Sequence, residues 1–115
     1  MSWWVSLSKD GKLVKVESHV EGATYCLEGS DGADLNITYN YSPHYYNSLD
    51  KRKGLEWLDG KKAKEALARL ERAIKELGTE KDNDYWKSTP GNAGYALSIL
   101  LKWAKQYPEA IFEVN

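Results

Sequence analysis

The residues best equipped for chemistry lie in one stretch, Lys87-Ser88-Thr89-Pro90-Gly91-Asn92-Ala93-Gly94. Thr89 can cap a helix, Pro90 suits its first position, and two glycines leave the backbone uncovered where free N–H groups point outward. The N–H groups of Gly91, Asn92 and Ala93 would be first-turn donors at the positive end of the helix dipole, suited to a phosphate or carboxylate. Just upstream, Tyr85 and Trp86 offer ring faces and Lys87 a cation. Stacking of a base on such a ring contributes about 1–3 kcal/mol. A second explanation competes on equal terms. Thr-Pro-Gly is an ordinary helix start, Gly94 permits close helix packing, and Trp86 can be core.

A second polar group precedes it. Leu35, Ile37, Tyr39 and Tyr41 alternate with Asn36, Thr38 and Asn40, a period-2 pattern that predicts a strand with one buried face. The other face is polar yet uncharged. Its amides and hydroxyl either bond across neighbouring strands or face a ligand. Pro43 is read as ending this strand, so that His44, Tyr45 and Tyr46 sit on a loop between aromatics. Asn36, Asn40, His44 and Tyr45 are thus the candidates for orienting a ligand held by Lys87, Thr89, Gly91 and Asn92, with Tyr85 or Trp86 stacked on it.

Catalytic sets are thin. His19 and His44 are the only histidines and Cys26 the only cysteine, too few for a zinc site. No glycine-framed serine elbow partners His44 for nucleophilic catalysis, and Gly91–Gly94 lacks the Gly-Lys-Ser/Thr ending of a phosphate loop. Asp82 and Asp84 stand at i, i+2, but the further oxygen ligands of a calcium loop are missing. The expectation is a binding protein with no cofactor or metal; an enzyme using His44 as acid or base is the remaining catalytic reading.

Composition narrows the partner. With 16 basic and 17 acidic residues the net charge is -1, which speaks against long nucleic acid. The 8 Tyr and 5 Trp against 1 Phe mean that nearly every large ring carries a hydrogen-bonding handle, as binding surfaces favour. A lone cysteine predicts a reducing, cytoplasmic setting, and no apolar run is long enough for a membrane span.

The elements that must position these groups follow from periodicity. Strands are predicted over Trp3–Ser8, Leu13–His19, Ala23–Glu28 and Leu35–Tyr41, with Asp10-Gly11 turning the first pair. A short helical turn over Lys53–Leu58 comes next. A helix over Lys61–Leu77 carries an i, i+3, i+4 stripe from Ala63 to Leu77, with Asp59 as N-cap, Gly78 as C-cap and pairs Lys61–Glu65 and Arg72–Glu76 on a solvated face. A second helix runs from Pro90 to Gln106, stopped by Pro108, and Ala110–Val114 forms a last strand that adds to an edge or pairs with the first. At 115 residues this is one domain, 1–115. The fold class is α+β: an antiparallel sheet of four to five strands with two helices on one face. An exposed last strand, or packing through Trp3 and Trp4, would suit a homodimer.

Several segments carry a resemblance: Thr38-Tyr39-Asn40-Tyr41, Leu58-Asp59-Gly60-Lys61, Asp84-Tyr85-Trp86-Lys87, Thr89-Pro90-Gly91-Asn92-Ala93-Gly94 and Trp103-Ala104. Over about residues 33–114 the chain resembles a family of small uncharacterised phage, prophage and bacterial proteins. The resemblance implies a context and no activity: such proteins often serve counter-defence or host takeover, some by sequestering nucleotide immune signals. The leading expectation is a phage-type protein that captures a small phosphorylated or nucleotide-derived ligand. The alternative is a protein-interaction inhibitor, anti-CRISPR-like or directed at host enzymes, acting through a Tyr/Trp-rich surface.

Overall fold

A computed structural model describes residues 1–16, 20–21, 24–25 and 32–115. Its centre is β1 (Ser2–Lys9), whose alternation buries Trp3, Val5 and Leu7 and leaves the intervening residues half exposed. On one side β1 pairs antiparallel with β5 (Asp34–Thr38), setting Trp3 opposite Ile37 and Val5 opposite Leu35. Beyond it, β1 turns through Asp10 and Gly11, both at positive φ, into the short β2 (Lys12–Leu13). On its other side β1 pairs with β6 (Ile111–Val114), Leu7 facing Phe112. These four strands form one antiparallel sheet; β3 (Val20–Glu21) and β4 (Thr24–Tyr25) make a separate hairpin. The strand predicted over 13–19 is cut short where it is described: β2 ends at Leu13, and Lys15 makes a single bridge to Gly32. Residues 17–19, most of 23–28, and with them His19 and Cys26, lie outside the described residues.

The fourth predicted strand is corrected. It stops at Thr38, not Tyr41. The Thr38 hydroxyl accepts the Asn40 N–H and starts a 3-10 turn, Tyr39–Tyr41, which leads into α1 (Ser42–Ser48). Pro43 sits in the first turn of that helix, where its missing N–H costs nothing, so the proline opens a helix and does not end a strand in a loop. The chain therefore has three α-helices among the described residues, where the sequence suggests two, and remains α+β.

The other two helices are α2 (Ala63–Leu77) and α3 (Pro90–Gln106). Ala63, Ala66, Leu70 and Ala73 of α2 are buried with Ala93, Ala96, Leu97, Leu100 and Ala104 of α3, so small residues let the two helices lie close. Their buried residues join Val5, Leu7, Leu35, Ile37 and Phe112 of the sheet in a single core. Asp59 does not cap α2: its Oδ1 accepts the Val114 N–H at 3.0 Å, and Lys62 stands at the N-cap. Gly78 ends the helix at φ 79°, a conformation that suits glycine.

The outer edge of β6 is closed within the chain. Phe112 N–H donates to the Lys61 carbonyl at 2.9 Å, Gly60 N–H donates to Phe112 at 2.8 Å, and Lys62 bridges to Ile111. Pairing of a second copy along this edge would have to displace those bonds. Trp3 is likewise buried, with its ring centroid 4.7 Å from that of Tyr39.

Candidate functional site

The start of α3 is built as its sequence suggests, but its polar groups turn inward. The Thr89 hydroxyl accepts the Asn92 N–H at 3.1 Å, and the Thr89 carbonyl takes the Ala93 N–H at 3.1 Å. Two of the three expected anion donors are thus engaged within the helix. The third, at Gly91, lies beneath the 78–80 segment. A Cβ at Gly91 would collide with the backbone oxygen of Glu80, and one at Gly94 with that of Gly78. Both glycines serve backbone-to-backbone packing, which no other residue type permits.

Asn92 is the organising side chain. It is 2% exposed, and its amide makes three bonds to the preceding loop. Its Oδ1 accepts the Asp82 N–H at 2.9 Å, and its Nδ2 donates to the carbonyls of Asp84 at 3.2 Å and Lys87 at 2.9 Å. The 79–88 loop is therefore folded around one buried amide. Two residues of the Tyr39–Tyr41 turn hold it from the other side: Asn40 Nδ2 donates to the Trp86 carbonyl at 2.7 Å, and the Tyr41 hydroxyl donates to the Tyr85 carbonyl. Burial, with the nearby Asp84 and Tyr85 charges, pushes the Tyr41 phenol well above its usual range, so it remains a donor.

The structure brings Asn40, Tyr85, Trp86, Lys87, Thr89, Gly91 and Asn92 together, as a ligand site would require. It uses most of their polar groups to hold the loop. What the loop presents outward is the Trp86 ring, 50% exposed, with Tyr85 beside it at 4.8 Å between centroids. Lys87 reaches to 3.9 Å from the Asp82 carboxylate. A cleft of about 560 Å³ adjoins the helix start, lined by Glu80, Lys81, Asp82, Thr89, Pro90 and Gly91. Two carboxylates against one ammonium make it a poor field for an anion, and Lys81 additionally lies over the Tyr95 ring at 4.5 Å.

The remaining candidates lie elsewhere or inside. Asn36 is 6% exposed and donates to Ser2 Oγ at 2.7 Å and the Trp3 carbonyl at 3.2 Å, which is cross-strand bonding. Tyr45 is fully buried, its hydroxyl on the Ala93 carbonyl at 3.0 Å, and burial holds its phenol far above the ordinary range. His44 stands half buried on α1. No group of three His, Cys, Asp or Glu residues that could hold a metal ion occurs among the described residues, and no described helix is long and apolar enough to cross a membrane.

Sequence reasoning passed over a second surface. The chain leaving α1 and the outer face of α2 enclose a cleft of about 650 Å³ that holds Arg52, Arg69 and Arg72. The signal was present as the run Lys51-Arg52-Lys53 and as Arg69 and Arg72 at i, i+3 on one helix face. Arg69 stacks on Trp57 at 4.2 Å and pairs with Asp50 at 3.5 Å. The anticipated Arg72–Glu76 and Lys61–Glu65 pairs do not form an ion pair; Lys64–Glu109 at 3.0 Å and Lys105–Glu71 at 3.8 Å do. Glu109, held by Lys64 and then Lys62, titrates below the usual carboxylate range.

No protein-family model, curated protein or solved structure matches the chain significantly, so its site stands on its own geometry.

Proposed function

We propose that this chain is a non-enzymatic binding protein that docks on a partner protein through the Tyr85–Trp86 step. The observation that carries this reading is Trp86 itself. Its ring is 50% exposed although its backbone is held on both sides, by Asp84 Oδ1 accepting its N–H at 3.1 Å and by Asn40 donating to its carbonyl. A large ring presented on a loop that is already ordered loses little further entropy on docking, which is what makes tryptophan a frequent interface anchor. The cleft beside it is lined by residues 77–78, 80–82 and 89–91 and does not take in the Trp86 ring, so the ring suits a partner's surface better than an enclosed small molecule. Affinity capture from host lysate, with wild type and Trp86→Ala in parallel, tests this. A stoichiometric partner should be retained by wild type and lost from the variant; the same proteins on both would sink the reading.

A small phosphorylated ligand at the start of α3 is the second reading. The cleft lined by Lys81, Thr89 and Gly91 favours it, and the neighbouring Glu80 and Asp82 weigh against it. Thermal-shift measurements with ADP-ribose and cyclic dinucleotides separate the two. A rise in melting temperature that Lys81→Ala abolishes would support ligand capture there.

A further inference from the structure

The cleft beside α2 holds cations without ion-pair partners among the described residues. Lys51, Arg52, Arg69 and Arg72 line it against two carboxylates, Asp50 and Glu76. Asp50 is already engaged. It receives Arg69 at 3.5 Å and the Lys53 N–H at 2.9 Å. Arg69 is fixed in turn by its stacking on Trp57. That leaves Lys51, Arg52 and Arg72, all exposed and none with a carboxylate at ion-pair distance among the described residues, against one remaining carboxylate, Glu76. Two guanidiniums that share a cleft repel one another, and an oxyanion between them relieves the repulsion while taking paired N–H donors.

The rim fits the same ligand. Tyr46 is 44% exposed and settles against Gly54, where a Cβ would stand 3.3 Å from the ring. Glycine at φ 59° therefore supports the ring from the backbone side, leaving its exposed surface for stacking. At the end of α1 the Tyr45 carbonyl already accepts the N–H groups of Leu49 and Asp50, and the His44 carbonyl the Ser48 hydroxyl, so these oxygens do not oppose an anion. The volume, about 650 Å³, lies in the range that small-molecule sites occupy.

We propose that this cleft binds a nucleotide, with Arg52 and Arg72 on its phosphates and the Tyr46 ring against its base. The site is separate from the Trp86 step and does not depend on it.

Isothermal titration at low salt with ADP, inorganic pyrophosphate and adenosine tests the assignment on the intact chain. ADP should bind, pyrophosphate about tenfold more weakly, and adenosine more weakly still. Raising the salt should weaken both phosphate probes, since the contacts are exposed charges. Arg52→Glu combined with Arg72→Glu should reduce ADP affinity at least about fiftyfold, and Arg52→Lys with Arg72→Lys several-fold, because an ammonium lacks the paired fork. Tyr46→Ala should weaken ADP about tenfold and leave pyrophosphate unchanged, as loss of stacking alone requires. Lys75→Ala, on the same helix outside the cleft, should bind as wild type. Circular dichroism melts of each variant establish that it is folded. Absence of ADP binding at about millimolar concentration, or ADP binding that survives the double charge reversal, overturns the site. Equal affinity for ADP and pyrophosphate overturns the assignment of a nucleotide.

Discussion

The start of α3 and the cleft beside α2 are opposites. The helix start has every mark of an anion cradle in its sequence, and its structure engages those groups internally: Thr89 on Asn92, Asn92 on the 82–87 loop, glycines under a crossing backbone. The arginine cleft has the sequence of an ordinary solvated helix face, and its structure leaves Arg52 and Arg72 without an ion-pair partner among the described residues. Availability, and not residue type, separates a polar group that binds from one that builds. A hydrogen-bonding group already satisfied in the fold has little to gain from a ligand.

The contrast breaks down if substitutions at the α3 start leave the fold intact. Gly94→Ala should have the largest effect, about 3 kcal/mol in urea unfolding, because the new Cβ meets the Gly78 carbonyl and backbone has no rotamer to escape into. A loss below about 1 kcal/mol would mean that the crossing segment moves freely. Next, Asn92→Ala should cost about 2 kcal/mol by leaving the Asp82 N–H and the Asp84 and Lys87 carbonyls without their partner. Hydrogen exchange at the Asp82 amide should accelerate in step.

Tyr41→Phe sharpens the picture through pH. It should cost about 1 kcal/mol at neutral pH through the lost bond to Tyr85. The Tyr41 phenol is raised in the fold, chiefly by burial, so its contribution is complete below the ordinary phenol value and declines as the pH rises above about 10. The stability difference between wild type and variant should therefore shrink between pH 8 and 11, although the buried Tyr45 keeps some alkaline sensitivity in both. The smallest effect belongs to the other region. Reversing both Arg52 and Arg72 should change unfolding free energy by no more than about 0.5 kcal/mol, since neither guanidinium has an ion-pair partner to lose among the described residues.

Much of the fold was legible where its determinants are local. The α3 boundaries follow from Thr89, Pro90 and Pro108, and the α2 stripe from its own spacing. The pairing of β6 with β1 was one of two readings that the sequence left open. The helix α1 was hidden by two periods that coincide. Leu35, Ile37, Tyr39 and Tyr41 step by two, while Tyr41, Tyr45 and Leu49 step by four, and all three of the latter are buried. The Thr38 cap and Pro43 decide for the four-residue period, and a proline read as a terminator was an initiator. At the candidate site the residues of the α3 start and Asn40 were legible because they lie close to one another once the turn at Thr38 forms. Their saturation was not, because it depends on how segments 40–41, 78–87 and 89–94 meet. The arginine cleft joins residue 52 to residues 69 and 72 across a helix and a turn, a proximity that no local pattern encodes.

One further consequence follows from the place of β1. Apart from the adjoining β2, its partners come from distant parts of the chain: Trp4 exchanges backbone bonds with Asn115 at 2.9 Å each way, and Val5 lies opposite Val114. Closing a loop of that length is entropically late, whereas α2 and α3 are near neighbours in sequence and can associate early. Folding should therefore proceed with a helical pair formed first and the sheet zipped last. The strand at the centre of the finished sheet is then the one that waits longest for its full set of partners.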